Sequence, residues 1–95
     1  MTKIVINNNE FDVLSFNRNT YVNEDQVFSN ASIIFAANDT PVSNLHALVG
    51  NSITSLKLKK NDEIIYDAGE INATITSLNE SLMGDEININ ANIEF

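Results

Sequence analysis

Residues 85–95, at the end of the chain, read D-E-I-N-I-N-A-N-I-E-F. From Ile87 to Phe95 every second residue is apolar, and asparagine or glutamate occupies each position between. An extended strand points successive side chains to opposite faces, so this alternation predicts a strand with one face on a core and one in water. A helix would scatter the same apolar residues around its circumference. Ile87, Ile89, Ile93 and Phe95 are therefore predicted to be core residues.

The beginning of the chain predicts a β-hairpin. Residues 2–6 form a short apolar run, asparagines follow at positions 7–9, and residues 10–16 are again rich in apolar residues. Asparagine favours turns and tolerates positive φ, so the asparagine triplet fits the turn of the hairpin. In the second half Phe11 and Val13 share one face, and Leu14 and Phe16 share the other. This change of phase predicts a β-bulge near Val13 and Leu14.

Residues 17–30 form the least regular stretch, a polar segment that contains Tyr21, Val22, Val27 and Phe28. It is longer than most connections, and long loops are often functional. Two interpretations are open: a β-arm that Tyr21 and Phe28 pin to the sheet, or a binding loop. The β-arm is favoured. Residues 31–37 are apolar in both phases and predict a central strand that is covered on both faces.

One short helix is predicted at about residues 41–49. Residues 39–41 provide its start, with Thr40 as the N-cap and Pro41 in the first position, and Gly50 stands just beyond its end. A stripe of apolar residues at three- and four-residue spacing should pack on the sheet. These residues are Val42, Leu45, Leu48 and Val49.

From residue 52 onward the pattern predicts a meander of four antiparallel strands, at 52–59, 63–67, 71–78 and the terminal segment. Leu78, Leu82 and Met83 are expected to fold back onto the core. The whole chain, residues 1–95, is predicted to be a single all-β, mostly antiparallel domain: a small β-sandwich or open barrel of six or seven strands with one short helix. A two-layer α+β sheet is the alternative.

Composition limits the classes of function. Thirteen acidic residues against five basic residues give a net charge of −8, which disfavours direct binding to phosphate backbones. The chain has no cysteine and no apolar run of the ~20 residues that span a bilayer. Its first residues lack the apolar core of a signal peptide. We therefore expect cytoplasmic synthesis without a signal peptide, and no binding to nucleic acid or membrane.

No residue pattern indicates an active site or a metal site. His46, the one histidine, has no recognisable nucleophile and carboxylate around it, and we expect it to be partly exposed and non-catalytic. Acidic pairs at positions 24–25, 62–63 and 85–86 lack the ligand spacing of a calcium loop and indicate solvated turns. The protein is predicted to be non-enzymatic and to use no cofactor.

Two stretches, T-S-L-K-L-K-K-N-D-E-I-I-Y-D (54–67) and E-I-N-I-N-A-N-I-E-F (86–95), resemble small asparagine-rich accessory proteins of tailed bacteriophages. The resemblance implies a structural or assembly protein of the virion, a head-decoration or tail-associated component that acts through protein–protein contacts or self-assembly. A different hypothesis is an acidic phage-encoded inhibitor that occupies a basic groove of a host defence protein. A third is a small-ligand binder that uses residues 17–30.

The residues predicted to form an interface come from the 17–30 segment and from the outer faces of the hairpins, where exposed side chains could meet a partner. They are Arg18, Tyr21, Glu24, Asp25, Lys57, Lys59, Asn88, Asn90 and Asn92.

Overall fold

The computed structural model describes residues 2–36 and 42–95, apart from the side chains of Val42 and Met83. This part of the chain contains eight strands and one helix. They are β1 (Thr2–Ile6), β2 (Asn9–Asn23), β3 (Gln26–Ala36), α1 (Val42–Leu48), β4 (Ser52–Ile53), β5 (Leu56–Lys60), β6 (Glu63–Asp67), β7 (Ala73–Met83) and β8 (Glu86–Glu94). The prediction of an all-β fold with one short helix is confirmed, with more strands than expected.

The strands form one antiparallel sheet in the order β4-β7-β8-β3-β2-β1-β5-β6. β4 lies at one end of this order and β5 lies next to the other end, yet only Thr54 and Ser55 separate them along the chain. The sheet must therefore curl until its ends approach each other. Among the described strands it does not close into a barrel, because β4 pairs with β7, and β5 pairs with β1 and β6.

The face inside the curl carries the hydrophobic core. Its buried residues alternate along the strands as the period-two pattern requires. Phe11 of β2 and Phe35 of β3 meet edge to face, with ring centroids 5.8 Å apart, and full burial of an aromatic or branched side chain contributes roughly 1.5–3 kcal/mol. The core comprises Ile4, Ile6, Phe11, Val13, Ala31, Ile33, Phe35, Leu45, Ile53, Leu56, Ala73, Ile75, Ile89, Ala91 and Ile93.

Helix α1 packs on this core through Leu45, which is completely buried, and through the partly buried Leu48. Val49 is exposed, so the predicted apolar stripe is narrower than the spacing implied. The predicted helix start at residues 39–41 lies outside the described residues. A helix of seven residues is too short to be stable by itself, so burial of Leu45 holds it against the sheet.

Asn7, in the turn after β1, joins the two ends of the curled sheet. Its Nδ2 donates to the carbonyl oxygen of Ser52 at 2.9 Å, and its Oδ1 accepts from the backbone N–H of Thr54 at 2.9 Å and of Ser55 at 3.3 Å. Its φ is 48°, a left-handed conformation that asparagine tolerates better than most residues. One side chain therefore satisfies the backbone where the chain passes from β4 to β5.

Two hairpins extend beyond the body of the sheet. Among the described residues, β3 pairs with β8 from Asn30–Glu94 to Ala36–Asn88. The β2–β3 hairpin continues past one end of this pairing as the first arm (residues 20–29), and the β7–β8 hairpin continues past the other end as the second arm (residues 82–87). Because β3 and β8 are antiparallel, the arms leave the sheet in opposite directions. The molecule is correspondingly elongated, 45 Å by 28 Å by 22 Å.

The structure corrects the interpretation of residues 17–30 and of the strand that follows. The segment is regular: β2 runs to Asn23, Glu24 and Asp25 turn the chain with positive φ, and β3 begins at Gln26. The β-arm interpretation is confirmed in form, but the arm is not pinned by its aromatic residues, which stack on each other. β3 buries one face only, because on its other face Ser32 is exposed and Ile34 is only partly buried.

The predicted meander is wrong between residues 67 and 73. β5–β6 and β7–β8 are hairpins, but β6 and β7 lie at different edges of the sheet, and residues 68–72 cross between them. The predicted strand at 52–59 is two strands, because its partner changes from β7 to β1 at Thr54 and Ser55. The bulge near Val13 is confirmed.

Two predicted core residues are exposed. Ile89 and Ile93 are buried as predicted, and Phe95 packs partly buried against the core, but Ile87 is half exposed and Leu82 is mostly exposed. Both lie in the second arm, beyond the last described residue of β8 that pairs with β3. The alternation continues past the point where the core ends.

Ile89 and Ile87 give a matched test of this register. Replacing the buried Ile89 with Asp places an unpaired charge in the core and is expected to cost at least about 4–5 kcal/mol, enough to prevent folding. Ile87→Asp, two residues away on the exposed arm, is expected to change the free energy of unfolding by less than about 1 kcal/mol. Circular dichroism and urea unfolding measure both, and a well-folded Ile89→Asp protein contradicts the register.

Asn7→Gly tests the seam between the sheet ends. Glycine adopts the positive φ without steric strain, so the main loss is that of the side-chain hydrogen bonds, and we expect the free energy of unfolding to fall by about 1–3 kcal/mol. Asn8→Gly is the control, because Asn8 also has positive φ, 70°, and is exposed; its effect should stay within about 0.5 kcal/mol. Equal effects in urea unfolding would show that the Asn7 amide does not hold the seam.

Candidate functional site

The first arm carries an exposed apolar pair on the face that continues the core. Val22 and Val27 are cross-strand partners and are 70% and 71% exposed. They follow the same face of β2 and β3 as the buried core residues, but β8 ends before it reaches them. The apolar face of the hairpin therefore extends beyond the described strand beside it.

The second arm repeats this arrangement at the opposite end of the molecule. Leu82 and Ile87 are cross-strand partners, 70% and 50% exposed, on the face that continues the core of β7 and β8. In both arms the paired residues are five positions apart along the chain, and acidic residues occupy or adjoin the turn between them: Glu24 and Asp25 in the first arm, Asp85 and Glu86 in the second. Each arm thus presents an apolar pair beside an acidic tip.

The other face of the first arm carries an aromatic pair. Tyr21 and Phe28 are cross-strand partners whose rings stack, with centroids 5.7 Å apart and planes inclined by 26°. Both remain partly exposed. Offset stacking of this kind adds about 0.5–1.5 kcal/mol to a pair of aromatic residues, so the rings stiffen the arm while they keep an accessible surface.

Arg18 anchors the base of the first arm. Its guanidinium carbon lies 4.0 Å from the centroid of the Phe95 ring, a cation–π contact. Its Nε donates to Ser29 Oγ at 2.7 Å and its Nη1 to Tyr66 Oη at 3.0 Å. The guanidinium thus joins β2 to β3, to β6 and to the last residue of the chain. The predicted interface residue Arg18 is engaged within the protein.

A polar hollow lies on the outer face of the sheet, across β2, β3, β8 and β7. Its volume is about 400 Å³, and amide, hydroxyl and carboxylate side chains dominate its lining. The Asn92 Nδ2 donates to Ser77 Oγ at 2.8 Å across the strands. The lining residues are Asn17, Asn19, Asn30, Ala31, Ser32, Thr76, Ser77, Asn92, Ile93 and Glu94.

The lysines predicted at the interface lie on the outer face near β1 and β5, away from the polar hollow. Lys59 Nζ lies 3.8 Å from Glu10 Oε2, and Lys3 lies 3.6 Å from Glu10 and 3.7 Å from Asp12. These acidic neighbours offset much of the positive charge. Within the described ranges no carboxylate comes within 4.0 Å of the Lys57 nitrogen. The patch therefore has little net charge with which to attract a phosphate.

The nine predicted interface residues do not form one site. Tyr21, Glu24 and Asp25 lie in the first arm, the two lysines lie on β5, and the three asparagines lie on the outer face of β8. Asn92 lines the polar hollow. Residues that the prediction missed include Val22, Val27, Leu82 and Ile87. The signal for them was present in the sequence, since each apolar pair flanks a two-residue turn.

The titratable residues show no assembled reactive centre in the part of the chain that is described. His46 is exposed, as predicted, and its Nε2 lies 2.6 Å from Glu80 Oε1 on β7. Residues 2–36 and 42–95 contain no group of three or more histidine, cysteine, aspartate or glutamate residues placed to bind a metal ion. Nor does any helix in these ranges have the length and apolar character to cross a membrane.

No protein-family model matches this chain, and none of the curated proteins matches it significantly. We therefore infer function from the two arms, the polar hollow and the sequence itself.

Proposed function

We propose that this protein is a non-enzymatic structural or assembly protein that acts through protein–protein contacts made by its two arms. The observation that carries the proposal is the presence of two exposed apolar cross-strand pairs, Val22–Val27 and Leu82–Ile87, at opposite ends of an elongated molecule. Single exposed apolar residues are common on protein surfaces. Two paired and projecting sets are better explained by partner surfaces that cover them.

The arms suit docking because their strands are paired and their apolar side chains are accessible. Each is a two-stranded extension with cross-strand hydrogen bonds, and the stacked Tyr21 and Phe28 stiffen the first. Beyond residue 13 no described strand pairs with the edge of β2 that faces away from β3. The first arm therefore also offers backbone N–H and C=O groups to a partner strand. A partner can therefore bury the valine pair and add a strand to the same hairpin.

The acidic tips define the partner surface. Glu24 and Asp25 adjoin the valine pair, and no described cation lies within 4.0 Å of either carboxylate. A complementary surface would have an apolar depression bordered by lysine or arginine, since opposite charges at a rim favour association and set its orientation. With one such arm at each end, the molecule can connect two partner surfaces, as a component of a larger assembly does.

The resemblance to phage accessory proteins supports a place in the virion, as a minor head-decoration or tail-associated component. The alternative, an inhibitor of a host defence protein, draws support from the net charge of −8. The described acidic residues lie in separate turns and beside lysines rather than in a continuous row. Such a distribution favours local docking contacts over imitation of a phosphate backbone.

Paired arm variants test the docking contacts. Two double variants, Val22→Thr/Val27→Thr and Leu82→Thr/Ile87→Thr, reduce the apolar surface of one arm each. Threonine is β-branched and favours strands, so the hairpins should be retained. We expect each double variant to lower incorporation into phage particles at least about tenfold. Ile64→Thr/Ile65→Thr is the control, because these residues are comparably exposed on β6, away from both arms. Quantitative mass spectrometry of purified particles measures incorporation, and equal incorporation of all variants contradicts docking through the arms.

The particles also test the virion assignment itself. We expect the chain in a fixed copy number that persists after a high-salt wash, because contacts between apolar surfaces are little weakened by salt. Absence of the chain from particles refutes the virion role. Light scattering of the purified 10.5 kDa chain at two protein and two salt concentrations then shows whether the arms bind a second copy. A monomer that a basic host protein retains only at low salt supports the inhibitor alternative.

A further inference from the structure

We propose that the polar hollow on the outer face of the sheet binds a neutral carbohydrate. The hollow is separate from the apolar pairs of the arms, because it lies on the opposite face of the same strands. Its volume of about 400 Å³ falls within the range of roughly 300–1,000 Å³ that is typical of small-ligand sites. A hollow of this size accommodates one or two sugar rings.

The lining matches the hydrogen-bonding groups of a sugar. Four asparagines, at positions 17, 19, 30 and 92, contribute amides, and Ser32, Thr76 and Ser77 contribute hydroxyls. Each amide presents an acceptor next to two donors. A single asparagine can therefore bind two neighbouring hydroxyl groups of one ring, which also both donate and accept. Glu94 adds a carboxylate that can accept from two further hydroxyls.

The strand register places these groups side by side. Asn19 is the cross-strand partner of Asn30, Ser32 is the partner of Asn92, and Ser77 is the partner of Asn92 on the other side. Neighbouring strands lie about 4.8 Å apart, so the side chains form a two-dimensional array across four strands. The hydrogen bond from Asn92 Nδ2 to Ser77 Oγ fixes one amide of the array and leaves its Oδ1 free to accept from a ligand. Part of the array is thus oriented in advance.

An aromatic surface adjoins the polar one. A second hollow of about 240 Å³ is lined by Tyr21, Phe28, Ser29, Asn30, Glu94 and Phe95. Asn30 and Glu94 line both hollows, so the two adjoin. A sugar ring has polar edges and apolar C–H faces, and the face of an exposed aromatic side chain provides matching apolar surface. The hollow therefore supplies polar contacts and an aromatic platform within one site.

The same lining disfavours other classes of ligand. No lysine, arginine or histidine lines the polar hollow, and Glu94 lies within it, so a phosphate, a sulfate or an acidic sugar would meet repulsion without a compensating cation. An apolar ligand would desolvate many amide and hydroxyl groups without satisfying them. A neutral molecule rich in hydroxyl groups fits the surface because it can hydrogen-bond the array without charge.

A printed glycan array that carries neutral, sialylated and sulfated glycans, probed with the full chain, is the first test. We expect binding to neutral glycans and none to the charged ones. The strongest neutral binder is then titrated into ¹⁵N-labelled protein, where backbone shifts should concentrate at the lining residues. The affinity should be nearly the same at low and high salt, because no charge pair is formed.

Asn19→Ala/Asn30→Ala is the decisive variant, since it removes two facing amides from exposed positions without touching the core. We expect its affinity for that glycan to fall at least about tenfold. Asn44→Ala, an exposed asparagine on α1, and Val22→Thr/Val27→Thr, on the opposite face of the first arm, should both retain wild-type affinity. No binding to any neutral glycan, or equal affinity of the Asn19→Ala/Asn30→Ala protein, overturns the proposal.

Discussion

The sheet depends on the constraint that β4 and β5, which pair at opposite ends of the strand order, are consecutive in the chain. Two residues cannot span a flat sheet of this width, so the sheet has to curl, and the curl encloses the core. Where the chain changes partner, its backbone loses regular pairing and needs other hydrogen bonds. Asn7 supplies them from the neighbouring turn. The curl, the core inside it and the polar outer face thus depend on one seam.

The first arm follows from a mismatch of strand length. β2 has 15 residues and β3 has 11, whereas their neighbours β1 and β8 have 5 and 9. Long strands beside short ones must project, and the amphipathic pattern continues along the projection, where Val22 and Val27 are largely exposed. Arg18 marks the boundary on the first arm, because its guanidinium closes the core against Phe95 before the exposed valine pair begins. The arm is therefore held firmly at its base and left accessible at its tip.

The sequence predicts local structure better than it predicts which residues lie over a core. Ile89, Ile93 and Ile87 occupy equivalent positions in one alternating run, and the run alone cannot show that Ile87 is half exposed whereas Ile89 and Ile93 are buried. The hairpin turns at Asn7–Asn8 and Glu24–Asp25 follow from residue chemistry and are local. The crossing at residues 68–72 depends on where β7 finds a partner strand elsewhere in the sheet, and the residues of the crossing do not indicate that partner. The polar hollow could not be predicted either, because its residues come together only through the register of four strands.

The part of the outer face around the polar hollow differs from an ordinary solvated surface in its low charge. The chain carries eighteen charged residues, and charge is the usual means of keeping an exposed face soluble. Over the polar hollow, however, asparagine, serine and threonine occupy the exposed positions, with Glu94 as the one charged lining residue. Solubility alone would be served as well by lysine and glutamate, which are better solvated. Short amides and hydroxyls keep their donors and acceptors close to the backbone and limited in rotation, and this property favours recognition of a hydrogen-bonding ligand over simple solvation.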